Sequence, residues 1–509
     1  MINKVDRSPN DTATNTVPEK RFKPLNKWAV LAIAASSGFM TTLDSSIVNI
    51  GLPAISQTFH VGVSGAIEWI IIGYLVVIAA TLLTFGRLAD MIGRKPILLA
   101  GLAVFITGSA CCGIAPSLSF LIIARLFQGI GGALIFCVNI AMITSTFPKR
   151  ERGLALGLNA VMVALGVSAG PTIGGVITQY LTWRWIFYVN IPLGIVVLLA
   201  AFYFYREERP QRGQHGRFDP VGAALLAIGF AAFTLGLSFG QEWGWFSLGT
   251  LGTLCIGVVA LFAAIYVERH VEHPILDLHL VRNRVFALAN ISFMLCMMAL
   301  FATGFLLPFY FEQLRGFSTI QTGLMLTPLP LTLAVVAPFS GALADRFGSR
   351  WLSPLGLALA CFGLFLISQI NLQSSTWDTI WRLIVIGIGQ GIFQSPNTRT
   401  MMGAAPREEQ GEASGLLATG RVIGQCLSVA LAGTVFAGLG GALAGNILSM
   451  QKHNLSPERV SALQNTFINS FHAALLVCAA FAAVGIFTAL ARGDEKVEKK
   501  ITNKRLSTS

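Results

Sequence analysis

The chain has 509 residues, 54% of them hydrophobic and 12% charged, against roughly 25% charged in soluble domains. That composition excludes a water-soluble globular protein. The net charge of +12 does not point to nucleic acid, because the basic residues sit in short loops and are not gathered with aromatic partners on one face.

Apolar runs of about 20 residues recur along the chain, each long enough to cross a hydrocarbon core as a helix. They lack the two-residue alternation of a membrane barrel. The fold class expected is an all-α integral membrane protein. Set against polar breaks, the runs predict about fourteen spans. These start near Trp28, Ala66, Ile97, Leu118, Leu154 and Arg184, then Pro220 and Leu248, then Phe286, Ile320, Trp351, Thr379, Ala413 and Phe471. Residues 1–27 read as a polar cytoplasmic tail without the apolar stretch of a cleaved signal peptide. Residues 28–205 read as a first six-helix bundle, 206–219 as a linker, and 220–267 as two inserted helices. A second linker follows at 268–285, a second six-helix bundle at 286–491 and a basic tail at 492–509. Basic loops fall mostly on one side of these spans, which places both termini in the cytoplasm. In the long outer segment 441–469, Ser456-Pro457-Glu458 predicts the start of a short helix. The eight cysteines show no metal-ligand spacing, and neither a metal nor a cofactor is expected.

Four segments carry the chemistry, and a fifth stands beside them. LDSSIVNIGLP (43–53) puts Asp44 roughly 24 Å into the first span. A carboxylate there is costly unless it faces water or a partner, so it is a candidate proton carrier or a structural carboxylate at a helix interface. GRLADMIGRKP (86–96) is a basic turn in which Gly86 permits close helix approach, Gly93 a tight turn, and Arg87, Asp90 and Arg94 a latch. It is echoed 255 residues on, from Gly86 to Gly341, by GALADRFGSR with Gly341 and Asp345, where Ser349 replaces Arg94. RLFQGIGGAL (125–134) carries Arg125, a fixed cation able to attract a carboxylate or to order water beside one. GVSAGPTIGG (166–175) pairs Gly166 with Gly170, breaks a helical hydrogen bond at Pro171 and adds Gly174 and Gly175, predicting a bent helix packed closely on a neighbour. WRWIFYVNIPLGI (183–195) suits an interfacial aromatic belt and receives no chemical role.

In this order the motifs resemble those of the major facilitator superfamily, and specifically its 14-helix drug:proton antiporter family (EmrB/QacA-like), over about Trp28 to Arg492. The resemblance implies two six-helix bundles plus two inserted helices, working by alternating access in a bacterial inner membrane. It implies proton-coupled export of lipophilic, often cationic compounds, with Asp44 and Arg125 in proton coupling. The basic turn would be a gate, and residues 166–175 the antiporter bend. The partners expected are such compounds, protons and the lipid bilayer, with a functional monomer and no nucleic acid; a periplasmic adaptor protein is left open. A carrier of a narrower substrate, such as a metabolite or lipid, is the nearest alternative. A membrane-embedded enzyme lacks a nucleophile or metal constellation, and a transport-dead sensor lacks an added signalling domain. Glu68 and Glu312 are candidate residues of an outer substrate mouth, with pairing to Arg315 the competing reading for Glu312. Arg421, inside a span, needs a partner that the sequence does not name.

Overall fold

Helix starts in this chain are set by short polar residues. Ser117, Ser247, Ser318, Ser375 and Ser456 each accept a backbone N–H in the first turn that follows, satisfying donors that an apolar helix cannot reach itself. The computed structural model describes residues 27–61, 65–148, 151–205, 220–270, 280, 282–405, 410–451 and 455–492. The predicted linker 206–219, most of 268–285 and the terminal tails lie outside the described residues. The first part of the chain forms α1 (Lys27–Thr58), α2 (Gly65–Ile92), α3 (Arg94–Gly113), α4 (Leu118–Thr146), α5 (Arg152–Tyr180), α6 (Trp185–Tyr188) and α7 (Asn190–Phe204). Between the halves lie α8 (Pro220–Trp243) and α9 (Leu248–Glu268), packed on each other. The second half forms α10 (Arg284–Phe309) with a π-turn at Tyr310–Leu314, α11 (Thr319–Leu326), α12 (Pro328–Phe347), α13 (Ser349–Ile367), α14 (Thr376–Ala404), α15 (Gln410–Gly438), α16 (Gly441–Gln451) and α17 (Pro457–Ala491).

Eleven helices among the described residues are long and apolar enough to cross a membrane, and Ala66–Leu82 and Val221–Leu237 are shorter apolar stretches. Each predicted start lies within three residues of an observed helix start except the last. Ser456 caps a continuous helix of 35 residues, not a short one, because its polar first turns satisfy their own backbone and continue into the apolar run without a break. The rest of the predicted outer segment is largely α16.

The two halves repeat in three dimensions. Asn139 donates to Ala34 O at 2.6 Å, and Asn397 to Ala289 O at 3.0 Å. On α4, Gly131 lies against Gly101 O and Phe105 of α3; on α14, Gly389 lies against Gly356 O and Ala360 of α13. The offset is therefore 255 residues for α1/α10 and α3/α13 (Ala34 to Ala289, Gly101 to Gly356), and 258 for α4/α14 (Asn139 to Asn397). Turns repeat too: Gly93 has φ 101° between α2 and α3, and Gly348 has φ 82° between α12 and α13, conformations that disfavour any side chain.

The halves meet at the end opposite the termini. Thr172 and Thr327 share a 2.7 Å hydrogen bond, and Thr319 N donates to Gln179 at 3.2 Å. Gly323 sits on Pro171, Gly175 on Thr319, and Gly433 on the Glu68 carboxylate. At the termini end, by contrast, the described contacts stay within each half. Lys27 pairs with Glu151 at 2.5 Å, Arg94 donates to Ala141 O at 2.9 Å, and Arg284 donates to Ala491 O at 3.2 Å. Arg492, read from sequence as the start of a tail, is 3% exposed. It donates to Ser349 O, Ser353 and Asn397 at 2.7 to 3.1 Å, bringing a guanidinium to the turn whose sequence has lost one.

Gly170 is one tight point of this architecture, since a Cβ there would run into Ser46 and stand 3.0 Å from Ile47 N on α1. Gly157, on the same helix, has open space around it. Thermal unfolding in detergent should show Gly170→Leu destabilised by about 1–3 kcal/mol through overpacking. Gly157→Ala should be neutral or more stable. Equal tolerance at both positions would contradict this packing.

Candidate functional site

Asp44 is 0% exposed and Arg125 1%. Arg125 Nη1 donates to Asp44 Oδ2 at 2.7 Å. A buried charge pair survives only when its remaining hydrogen-bonding capacity is filled, and α4 itself with three further helices fills it. From α4, Gln128 Nε2 donates to Asp44 Oδ1 at 3.0 Å, while its Oε1 accepts Arg125 Nη1 at 2.7 Å. From α7, Asn190 Nδ2 donates to Asp44 Oδ1 at 2.8 Å. From α3, Ser109 accepts Gln128 Nε2 at 2.7 Å. From α2, Ile70 O accepts Arg125 Nε at 2.9 Å, and the Tyr74 ring lies 4.3 Å from the guanidinium carbon.

Local sequence explains the convergence. Ser117 starts α4 two turns before Arg125, and Arg125 and Gln128 share one helical face at i, i+3. The glycines of the motif set how near the neighbours come: Gly129 lies on Tyr74 O, and Gly131 on α3. Gly108 of α3 in turn lies on the Gln128 backbone, which brings Ser109 to the amide. A Cβ at any of these positions would push the helices apart. Asn190 reaches the site from the first turns of the span Trp185–Phe204, which runs through Val189 in helical conformation.

Chemically, an ionised carboxylate offers acceptors only, and Asp44 here meets three donors. Oδ1 already accepts two donors, so a proton there would displace Gln128 or Asn190, whereas a proton on Oδ2 would remove the charge that strengthens its bond to Arg125. The repeat has no second copy. The offsets carry Asp44 to Ala299, Ser109 to Leu364, Arg125 to Leu383 and Gln128 to Ile386, all 0% exposed and apolar.

The glycine-rich segment 166–175 of α5 lies behind this site. Gly166, Gly170 and Gly174 face α1 at Phe39 O, Ser46 and Ile47, a ridge that brackets Asp44, while Pro171 and Gly175 face α11 of the other half. Thr42 and Ser46 add hydrogen bonds to Val163 O and Gly166 O, both 3.2 Å.

Other sequence candidates are placed as follows. In the basic turn, Arg94 is tied to α4 as above; the side chains of Asp90 and Asp345 lie outside the described residues. Gly86 has its nearest neighbour, Cys137, at 4.0 Å from an added Cβ, ordinary contact distance, so the close approach expected there is absent; at Gly341, Ser395 stands at 2.7 Å. Glu68 is 1% exposed and packed on Gly433, in the closed seam between halves and not at an open mouth. Glu312 does not pair with Arg315, which donates to Ser374 O at 2.6 Å and to Asn371 O at 3.4 Å. The π-turn is the reason, since it re-aims the i, i+3 side chains that an α-helix would bring together. Arg421 has its guanidinium carbon 5.7 Å from the Phe293 ring centroid. Sequence reasoning missed Gln128, Asn190 and Ser109.

Residues 34–429 match the family described as Major Facilitator Superfamily, and the chain belongs to that family of membrane transporters. Among its relatives are the riboflavin transporter RibZ of Clostridioides difficile, 33% identical over 81% of this chain and 88% of its own, and the multidrug resistance protein Stp of Mycobacterium tuberculosis, 32% identical over 81% and 77%. A crystal structure of a bacterial homologue of the human lysosomal transporter Spinster shares the fold, with TM-score 0.65 at 16% identity over 92% of this chain and 96% of that one.

A stability cycle tests the ion pair. Asp44→Leu and Arg125→Met should each cost about 3–5 kcal/mol, because each leaves one buried charge alone. The double variant should recover much of that loss. Strict additivity in thermal unfolding would mean that the two groups do not act as a pair.

Proposed function

We propose that the protein is a proton-coupled multidrug efflux antiporter that exports lipophilic, often cationic compounds by alternating access. The observation that carries this reading is the buried Asp44 cluster, whose three donors all suit an ionised carboxylate. One proton would displace Gln128 or Asn190, or weaken the hold on Arg125. The α5 glycine ridge, seated on α1 on one side and on α11 on the other, would pass that change to the contact between halves. The resemblance to the multidrug resistance protein Stp supports the substrate class.

The architecture we propose is fourteen spans: two six-helix bundles, at 28–205 and 286–491, with α8 and α9 inserted between them. Both termini face the cytoplasm, in a bacterial inner membrane. The described seam between halves then closes the outer side. The basic turns at Gly86–Arg94 and Gly341–Asp345 act as gates in the opposite state, and the working unit is a monomer, whether or not a periplasmic adaptor joins it.

A second reading, a proton-coupled carrier of a narrower substrate, is favoured by the resemblance to the riboflavin transporter RibZ. Reconstituted vesicles with an imposed pH gradient test both. Asp44→Asn should lower gradient-driven transport at least about tenfold, the loss of roughly 1.4 kcal/mol or more of coupling, while eluting as a monodisperse protein. Asp44→Glu should keep part of it. A panel of lipophilic cations and riboflavin separates the broad carrier from the narrow one. Undiminished gradient-driven transport by Asp44→Asn removes the proton role.

A further inference from the structure

Arg421 lies on α15, in the half that holds no copy of the Asp44 cluster. Its Nε is buried without a hydrogen-bond acceptor. Among the described residues no carboxylate pairs with it, and its one described contact is the Phe293 ring on α10. A guanidinium is always charged at physiological pH and carries five donors. Inside a membrane protein such a group pairs with an anion or faces a water-filled cavity. Arg421 itself is half-buried, and the two fully buried arginines of the described interior have acceptors: Arg125 holds Asp44, Gln128 and Ile70 O, and Arg492 holds Asn397, Ser349 and Ser353.

A second unpartnered polar group lies close by. Asn290 and Phe293 share one face of α10 at i, i+3, and that face meets α15 where Asn290 Oδ1 stands 2.6 Å from an added Cβ on Gly420. Asn290 Oδ1 is itself buried without a partner. Met294 O and the Met297 side chain continue the contact one turn on, against Gly424. Along α15, Arg421 lies 12 residues before Gly433, roughly 18 Å towards the termini end. It is therefore well below the seam at Glu68, on the side where the described contacts between halves are lacking. Glu68 is too far to neutralise it, and Asp378 on α14 is held by Arg382 at 2.8 Å.

We propose that Arg421, with Asn290, is a subsite for the anionic group of an amphipathic substrate. The guanidinium takes the carboxylate, sulfonate or phosphate, and the Asn290 carboxamide takes a neighbouring polar group, while Phe293, buried and stacked on Phe393, backs the guanidinium. This extends the substrate range from lipophilic cations to organic anions. It rests on the reading of the chain as a small-molecule exporter.

The test is equilibrium binding to the full-length protein in nanodiscs, with no gradient, so that its outcome does not depend on proton coupling. The probes are fluorescein, an aromatic carboxylate, and rhodamine 6G, a cationic ester on the same ring frame. Arg421→Gln should raise the Kd for fluorescein about tenfold or more, as expected for losing charge-assisted hydrogen bonds, and should leave rhodamine 6G within about twofold. Arg421→Lys should restore part of the affinity. Arg421→Met should unfold at the same or a higher temperature than wild type, because an unpaired buried charge is removed, whereas an arginine with a structural role would lower it. Nanodiscs of phosphatidylcholine alone and with phosphatidylglycerol distinguish the source of the anion. Competition by phosphatidylglycerol that Arg421→Gln abolishes assigns the site to a lipid headgroup, and equal binding in both assigns it to the soluble anion; either upholds the anion site. No fluorescein binding by wild type above the nanodisc background overturns it, as does an equal effect of Arg421→Gln on both probes.

Discussion

The Asp44–Arg125 pair is the interaction around which the first half is organised. Two opposite charges at 2.7 Å in a nearly water-free interior attract strongly, yet removing both from water costs several kcal/mol per ion. The balance depends on Gln128, Asn190, Ser109 and Ile70 O being in place together. That requirement explains features with no charge of their own. The glycines of α3 and α4 exist at spacings where a methyl group would lift a donor out of reach, and an asparagine stands in the span Trp185–Phe204 where its amide meets Asp44.

The same constraint makes the halves unequal. They share helix order, the Asn139/Asn397 tie, the α3–α4 and α13–α14 contacts and the positive-φ turns. The second half fills the equivalent of the ion-pair site with Ala299, Leu364, Leu383 and Ile386. One half therefore holds a buried, hydrogen-bonded ion pair, and the other fills the equivalent place with apolar side chains. The α5 ridge connects them, since its glycines touch α1 on both sides of Asp44 and its Pro171 and Gly175 touch α11.

Much of this was legible in the sequence. Asp44 and Arg125 stand out because charges in apolar runs are costly and therefore conspicuous, and the glycine-proline pattern at 166–175 announces close packing whatever its partner. The pairing itself was only half visible: Arg125 was expected to attract a carboxylate, and the structure identifies which. Gln128, Ser109 and Asn190 were hidden, because single neutral polar residues in apolar helices have many bland uses and only the fold brings α3, α4 and α7 to one point. Arg492 looked like the first residue of a basic tail, and only its burial against Ser349 and Asn397 separates it from the charges that follow. The Glu312–Arg315 spacing suggested a pair that the π-turn dissolves. Glu68, expected near an opening, lies in a closed seam, since residue spacing does not say which helices of the two halves pack together.

The most direct test of the central claim is proton release on ligand addition, measured with a pH indicator in weakly buffered detergent solution of the purified protein. If Asp44 exchanges a proton for a changed hydrogen-bond cluster, a transported cation should displace protons from wild type in a stoichiometric, saturable way, and Asp44→Asn should bind the cation without releasing any. Equal proton release from both proteins would place the exchanging group elsewhere and leave the Asp44 cluster a structural element.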